Sequence, residues 1–465
     1  MSYFNEIDKY KNNIALITEK ENITYGSIIE YSNKFFNKIK ERSLVLIKCQ
    51  NSLEIIIAYI AFSRLNCPII LIDNNLVSQG YEEIIEAYKP DYIFQNKKNK
   101  KNNINYTHLS NFGLFELLEN QKKIKNLINE NLSLLIPTSG SMGSPKFVRQ
   151  SYQNIMTNIE QVTQSLNVKA SDRSITTMPL NYTYGLSIVN SHLFNGASII
   201  VNNHTLIDKS FWNILNNKKA SNFGGVPFMY EILDKIGFEK KIPGSLEYIT
   251  QAGGKLSKEL LDKFIQISKN NNLKFITMYG QTEATSRMSY LDCNFLEKKI
   301  GSIGKPVKDG KFTIQDNKGK IIENSNETGE LIYEGKNVSM GYAINYLDLG
   351  KDDDNKGKLF TGDLAQKDND GFYYIVGRIK RISKVFGIRI NLDDLEILLK
   401  NWGYECVCTG NDKLLNFFII NDFNNEKMTD RISKNIGIHK SAIKLNKIKN
   451  VPRNKIGKTL YSELK

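Results

Sequence analysis

Residues 134–146 read Leu-Leu-Ile-Pro-Thr-Ser-Gly-Ser-Met-Gly-Ser-Pro-Lys, an apolar run that stops in small and hydroxyl residues and closes on a lysine. A short continuous apolar run is the signature of a strand buried on both faces, which requires a sheet covered by helices on either side. The loop after it suits a phosphate. Glycine removes the Cβ barrier to close approach, so backbone N–H groups and hydroxyls can converge on an anion, and Lys146 adds a point charge. It is not a Walker A loop: Gly140 and Gly143 lie too close together, and Pro145 stands where that loop requires glycine.

The rest of the chain repeats the strand–helix theme. Helices are expected at 27–39, 53–65 and 81–88, alternating with strands at 44–47, 69–72 and 92–94. Beyond the loop come a helix at 152–166, a Tyr/Gly-rich segment at 181–185, and strands at 197–201, 223–226, 248–250 and 275–278. Strand-end loops of such open sheets are where ligands bind. From about Gly301 the pattern changes to short strands separated by Gly, Asn and Asp, and residues after Arg378 read as a separate small α+β unit. The expected fold class is therefore α/β: a large N-terminal domain of parallel-type sheets with a β-rich subdomain (1–378), and a small C-terminal domain (379–465).

Composition narrows the function. The formal charge of +14 invites a nucleic-acid reading, but the lysines are spread along the chain, and the local run Asn96–Asn103 lacks interleaved aromatics or arginines. It reads as a solvated loop, and no nucleic-acid partner is expected. The five cysteines form no CxxC pattern and suit reduced thiols in a cytoplasmic protein, with Cys406 and Cys408 expected on opposite faces of one strand. The N-terminus carries no signal-peptide pattern, and the most apolar helix candidate, 53–62, is too short for a span, so no membrane insertion is expected.

Seven further segments stand out. Thr277-Met-Tyr-Gly-Gln-Thr-Glu283 offers a carboxylate of the kind a hard cation takes together with phosphate oxygens. Gln251-Ala-Gly-Gly254 alone is an ordinary turn. Thr361-Gly-Asp363, followed by Asp370-Gly-Phe372, would by itself be an Asx-type turn. Residues 377–389, Gly-Arg-Ile-Lys-Arg-Ile-Ser-Lys-Val-Phe-Gly-Ile-Arg, could be no more than a basic amphipathic strand. Met178-Pro-Leu-Asn-Tyr-Thr-Tyr-Gly-Leu186 and Phe223-Gly-Gly-Val-Pro-Phe228 each combine aromatic and small residues. Finally, Val451-Pro-Arg-Asn-Lys-Ile-Gly-Lys458 ends on a lysine that would otherwise read as a solvated tail.

In this order, with the phosphate loop, the segments resemble the adenylate-forming superfamily of acyl-CoA synthetases, luciferases and peptide-synthetase adenylation domains. The resemblance implies an ATP- and Mg²⁺-dependent acid–thiol ligase. A carboxylate attacks the α-phosphorus to give acyl-AMP and pyrophosphate, and a pantetheine thiol then takes the acyl group. It implies a phosphate loop of Thr138, Ser139, Gly140, Ser141, Gly143 and Lys146, and an adenine site at Gly253, Gly254, Tyr279 and Gly280. Thr282 would meet the α-phosphate, Glu283 the metal, and Asp363 and Arg378 the ribose. Lys458 would act in adenylation; Lys380 would be the hinge, with Lys384 and Gly387 lining the thiol approach. Tyr182, Thr183, Tyr184, Gly185, Val226 and Pro227 would line the pocket for a small carboxylic acid.

Three departures from that pattern stand out: Met142, Ser144 and Phe147 replace the usual Thr, Lys and Gly of the loop. No Asp or Glu lies between Met178 and His192, so a substrate ammonium would lack a partner there, and ordinary α-amino acids are disfavoured. For the thiol, a separate acidic acyl carrier protein is expected in preference to coenzyme A, because the compact stand-alone form resembles discrete adenylation enzymes and the basic surface would suit an acidic carrier.

Overall fold

A computed structural model describes residues 3–464 except 37, 40, 77, 100–104, 124–126, 139–145, 386, 387, 412, 455 and 456. Close contacts divide the chain into two compact units, residues 1–311 with 333–359, and residues 312–332 with 360–465. The architecture is mixed α/β with a large N-terminal and a smaller C-terminal part.

The first unit holds two large sheets. One has eight strands, with the parallel strands Val45–Cys49, Ile69–Asp73, Tyr92–Asn96 and Leu132–Pro137 at its centre. Val45 to Ile47, Ile69 to Ile72 and Leu132 to Ile136 are buried throughout, as continuous apolar strands require. The helices Tyr25–Phe36, Leu53–Arg64, Ser78–Tyr88 and Tyr152–Leu166 lie at the expected places. Their starts follow local chemistry. Ser52 caps one helix by accepting from the Ile55 N–H, and Ser151 and Asn154 form a reciprocal capping box before another.

The second sheet has nine strands, with Asn222–Gly225, Tyr248–Gln251 and Lys274–Tyr279 in parallel register near one end. Their C-terminal ends run into Val226-Pro227, the Gly253-Gly254 turn and the Gly280–Glu283 segment, so three of the recognised motifs sit at one end of this sheet.

In the smaller unit, a three-stranded sheet (Cys406–Gly410, Leu415–Ile419, Ile443–Lys447) packs with the helices Leu392–Asn401 and Asn425–Ile436 around Leu395, Leu399, Phe417 and Ile432. A four-stranded sheet of Lys311–Gln315, Gly329–Glu334, Lys358–Lys367 and Tyr373–Arg378 has most of its residues in this unit. Among the described residues no helix is long and apolar enough to cross a membrane.

The structure corrects one reading and adds one helix. Cys406 and Cys408 do not face opposite ways: residues i and i+2 of a strand share a face, and both thiols are buried with their sulfurs 3.8 Å apart. The Tyr/Gly-rich segment at 181–185 is the entry to a helix, Thr183–Phe194, nearly all of whose positions are buried.

Candidate active site

The phosphate-loop sequence joins Leu132–Pro137 to an antiparallel partner, Phe147–Ser151, so it forms the connection of a hairpin. Ser139, Gly140, Ser141 and Gly143 lie outside the described residues; Thr138 and Lys146 flank them. On its far side Phe147–Ser151 pairs with the two-residue strand Tyr342–Ala343, with Val148 opposite Tyr342 and Phe147 opposite Ala343. That register brings Tyr342 beside Lys146, whose Nζ lies 3.8 Å from the ring centroid. The Tyr342 hydroxyl donates to Glu283 Oε1 at 2.7 Å. Two of the expected functional side chains, Lys146 and Glu283, thus meet on a third that the sequence reading passed over.

The turn carrying Glu283 is tightly built. A Cβ on Gly280 would lie 1.6 Å from the Ser286 carbonyl oxygen, so only glycine fits between Tyr279 and Gln281. Thr282–Ala284 form a single 3₁₀ turn, and Gln150 Nε2 donates to the Thr282 carbonyl at 3.1 Å. Thr285 follows with φ +64, a left-handed conformation that costs a β-branched residue on the order of 1–3 kcal/mol. Its hydroxyl donates to the Asn337 carbonyl at 2.6 Å, while Asn337 Nδ2 donates to the carbonyls of Ala284 and Arg287 and the Ser339 N–H to that of Glu283. The 337–342 segment therefore holds the 283–287 turn along its length.

The expected acyl-pocket residues also converge. Tyr184 Oη and Thr250 Oγ1 are 2.6 Å apart, and the rings of Tyr182 and Tyr184 stand edge to face with centroids 6.4 Å apart. A Cβ on Gly253, whose φ is +81, would lie 2.6 Å from Tyr182 Oη and 3.0 Å from Val226 Cγ1. One on Gly254 would lie 3.0 Å from Pro227 Cγ. Gly185 is equally confined, since a Cβ there would meet the Pro179 carbonyl at 2.6 Å. Thr183 lines a small internal cavity with Gln150, Asn158, Ser187, Asn190 and Thr285, directly behind the Glu283 turn. Burial pushes the Tyr182 phenol up to about 12, and Tyr184 further, so both stay protonated.

Beneath this wall lies a group that sequence reasoning missed. Arg287 is 2 % exposed and donates to Ser165 Oγ at 3.1 Å, while its Nη2 has no hydrogen-bond partner. Desolvation pulls its guanidinium down to about 10, opposed by the surrounding Tyr184, Tyr248 and Tyr290. Burial holds His192 down to about 4, with the Arg287 charge acting in the same direction; its Nδ1 bonds the Ile188 carbonyl and its Nε2 lies near Asn222 Nδ2 and Tyr248 Oη.

The smaller unit places the remaining residues. Asp363 and Arg378 are cross-strand partners, and Arg378 Nε meets Asp363 Oδ1 at 2.7 Å. Asp363 is almost fully buried, whereas the Arg378 side chain is half exposed. Thr361 steadies the carboxylate's strand: its hydroxyl donates to the Leu331 carbonyl at 2.7 Å and accepts the Asp363 N–H. Lys380 lies in the 3₁₀ turn Ile379–Arg381, and Lys384 on Ile382–Val385 pairs with Arg389; Gly387 lies outside the described residues. Next to Lys380, Arg381 binds Asp393, Glu396 and the Cys408 carbonyl, and stacks 4.1 Å from the Tyr461 ring centre. Lys458 follows Gly457, at φ +77, in a turn closed by Asn454, which bonds the Lys458 N–H and carbonyl.

The model of the AMP-binding enzyme family matches residues 4–343, and the chain belongs to that family. It is an adenylate-forming acid–thiol ligase, producing AMP and pyrophosphate. A 2-succinylbenzoate–CoA ligase of Bacillus cytotoxicus is 27% identical over 382 residues, covering 78% of this chain and 75% of its own. Bacitracin synthase 3 of Bacillus licheniformis is 23% identical over 407 residues, 84% of this chain but 6% of that protein. Among solved structures, o-succinylbenzoate CoA synthetase from Bacillus subtilis with its acyl-adenylate superposes with a TM-score of 0.79 at 20% identity, covering 100% of this chain and 98% of the other. An anthranilate CoA ligase in complex with anthranoyl-AMP gives 0.80 at 18%, covering 100% and 96%. At these identities the structural likeness carries the fold.

Proposed function

We propose that this protein activates a small aromatic or other carboxylic acid that carries no ammonium group with Mg·ATP and transfers the acyl group to coenzyme A. The observation that supports the reaction is the meeting of Lys146 and Glu283 on Tyr342, which sets a cation for phosphate beside a carboxylate for the metal. The residues fit the nucleotide. The backbone at Gly280 admits no Cβ, and Asp363 presents a carboxylate already fixed by Arg378, its partner on the neighbouring strand. Glu283 would hold Mg²⁺ with phosphate oxygens, and the ion when bound would neutralise charge on the departing pyrophosphate.

The chain's own residues then divide the work. Lys146 and Thr138 flank the phosphates, Thr282 the α-phosphate, Tyr279 and Gly253-Gly254 the adenine, and Asp363 with Arg378 the ribose. One substrate carboxylate oxygen attacks the α-phosphorus as the bond to pyrophosphate breaks. Lys458 stabilises the charge developing there. A hinge at about Lys380 would let residues 379–465 withdraw Lys458 and bring Lys384 and Gly387 to the thiol approach, since the two half-reactions need different surroundings.

Two features support the substrate class. Tyr182, Tyr184, Val226 and Pro227 form an aromatic and apolar wall, and no acidic residue occurs from 178 to 192 to pair an ammonium. The 2-succinylbenzoate–CoA and anthranilate CoA ligases carry aromatic acids in their names. Those names also move the acceptor from the expected carrier protein to coenzyme A. The test is thioester formation with coenzyme A and with a holo acyl carrier protein side by side, across a panel of aryl and aliphatic acids. Turnover with coenzyme A and an aryl acid supports the proposal; turnover restricted to the carrier protein or to α-amino acids refutes it.

A further inference from the structure

Tyr342 belongs to none of the motifs recognised in the sequence, yet its position is fixed more firmly than its 39% exposure suggests. The anchor is Arg149, whose side chain is fully buried. Its Nε donates to the Tyr342 carbonyl at 3.1 Å, Nη1 to the Lys351 carbonyl at 2.7 Å, and Nη2 to the Met340 carbonyl at 2.7 Å and the Asp354 carboxylate at 2.6 Å. One guanidinium thereby ties the 340–354 segment to the strand that follows the phosphate loop. Gly341, with φ +102, makes the bend that presents Tyr342, and a Cβ there would lie 2.7 Å from the Asp354 carboxylate.

From this mount the phenol makes two different contacts. Its hydroxyl donates to Glu283 Oε1, and its face receives the Lys146 ammonium. A donor on one carboxylate oxygen orients the group and leaves the second oxygen turned for another ligand, which is how outer partners set metal ligands. A ring face beneath an ammonium fixes the charge without neutralising it.

We infer that Tyr342 is a positioning residue that couples the two halves of the Mg·ATP site: its hydroxyl orients Glu283 for the metal while its ring face holds Lys146 for the phosphates. The inference rests on the assignment of Glu283 to the metal and Lys146 to phosphate. Separating hydroxyl from ring separates the two effects. Tyr342→Phe removes the hydrogen bond and keeps the ring, whereas Tyr342→Leu removes both.

The direct readout is binding in the absence of turnover. Mn²⁺ is titrated into the full chain with α,β-methylene ATP and followed by electron paramagnetic resonance, alongside the KM for ATP in pyrophosphate exchange. Tyr342→Phe should weaken Mn²⁺ binding roughly tenfold, the size of one hydrogen bond to a charged group, while changing the KM for ATP by less than about twofold. Tyr342→Leu should weaken Mn²⁺ similarly and also raise the KM for ATP several-fold. In Glu283→Gln, which should itself lose Mn²⁺ affinity, adding Tyr342→Phe should cost little more. Wild-type Mn²⁺ affinity in Tyr342→Phe beside a weakened Glu283→Gln overturns the coupling and leaves the metal assignment standing. Unchanged Mn²⁺ affinity in both variants overturns both. Tighter Mn²⁺ or lower KM in either Tyr342 variant would make the tyrosine a competitor for the site, which also overturns the inference.

Discussion

Replacing Gly280 by alanine tests the local construction of the site with a change of one methyl group. The added carbon would sit 1.6 Å from the Ser286 carbonyl oxygen, 2.6 Å from its carbonyl carbon and 3.0 Å from the Arg287 Cα. All three are backbone atoms, so no rotamer change relieves the overlap. Restoring ordinary contact needs a backbone shift on the order of 1.5 Å, in a core that tolerates little extra volume. Overpacking of this kind costs roughly 3 kcal/mol or more if the turn resists. If the turn yields, Glu283 and Thr282 move instead, and an ångström of misplacement costs on the order of a hundredfold in rate. Urea unfolding followed by circular dichroism, with pyrophosphate–ATP exchange on the same preparation, reads both outcomes. Gly244→Ala is the control: a Cβ there meets nothing within 4 Å, and its stability should stay within about 0.5 kcal/mol of the parent. Parental stability together with parental exchange in Gly280→Ala would mean that the turn has room for a Cβ and that this glycine does not set the position of Glu283.

Asp363→Asn should weaken ATP binding by roughly a hundredfold while leaving the fold intact, because Arg378 is half exposed and can be hydrated when its partner loses charge; calorimetric titration with ATP checks this. Lys458→Ala should slow adenylation on the order of a hundredfold yet spare thioester formation from chemically supplied acyl-AMP, and an equal loss in both would contradict the two-conformation account. His192, held down to about 4 by burial, makes stability depend on pH. The unfolded chain binds that proton near 6.5 and the folded chain resists it, so its contribution is full above about 6.5 and is lost as pH falls toward 4. The loss is on the order of 3 kcal/mol, and His192→Gln should flatten that limb of a urea-unfolding pH series.

Much of the candidate site was legible because its residues lie in short segments. Thr277–Glu283, Gly253-Gly254 and Thr361–Asp363 could each be read within a few positions, and the parallel register of Asn222–Gly225, Tyr248–Gln251 and Lys274–Tyr279 then gathers the first two. The contacts between segments were not legible. Tyr342 reaches Glu283 across 59 positions through a two-residue strand that no periodicity can reveal, and its only local sign is the Met340-Gly-Tyr342 bend. Helix Thr183–Phe194 escaped because it is buried on nearly every side, which erases the 3.6-residue alternation of an amphipathic helix. The hairpin Tyr106–Phe112 and Phe115–Asn120 likewise went unread, its outer strand being exposed and mixed in polarity. Arg287 carries no local sign of burial in the sequence, and the packing of Tyr184, Tyr248 and Tyr290 about it places it inside.

The proposed function uses Lys146, Glu283 and Asp363 in one ATP-consuming adenylation. Its most direct test is exchange of labelled pyrophosphate into ATP with a panel of carboxylic acids, with and without Mg²⁺. Exchange should appear only with acid and metal both present, and Lys146→Ala, Glu283→Ala and Asp363→Ala should each reduce it by at least roughly tenfold. Folded protein that gives no exchange with any acid, or exchange that all three substitutions leave intact, would contradict it.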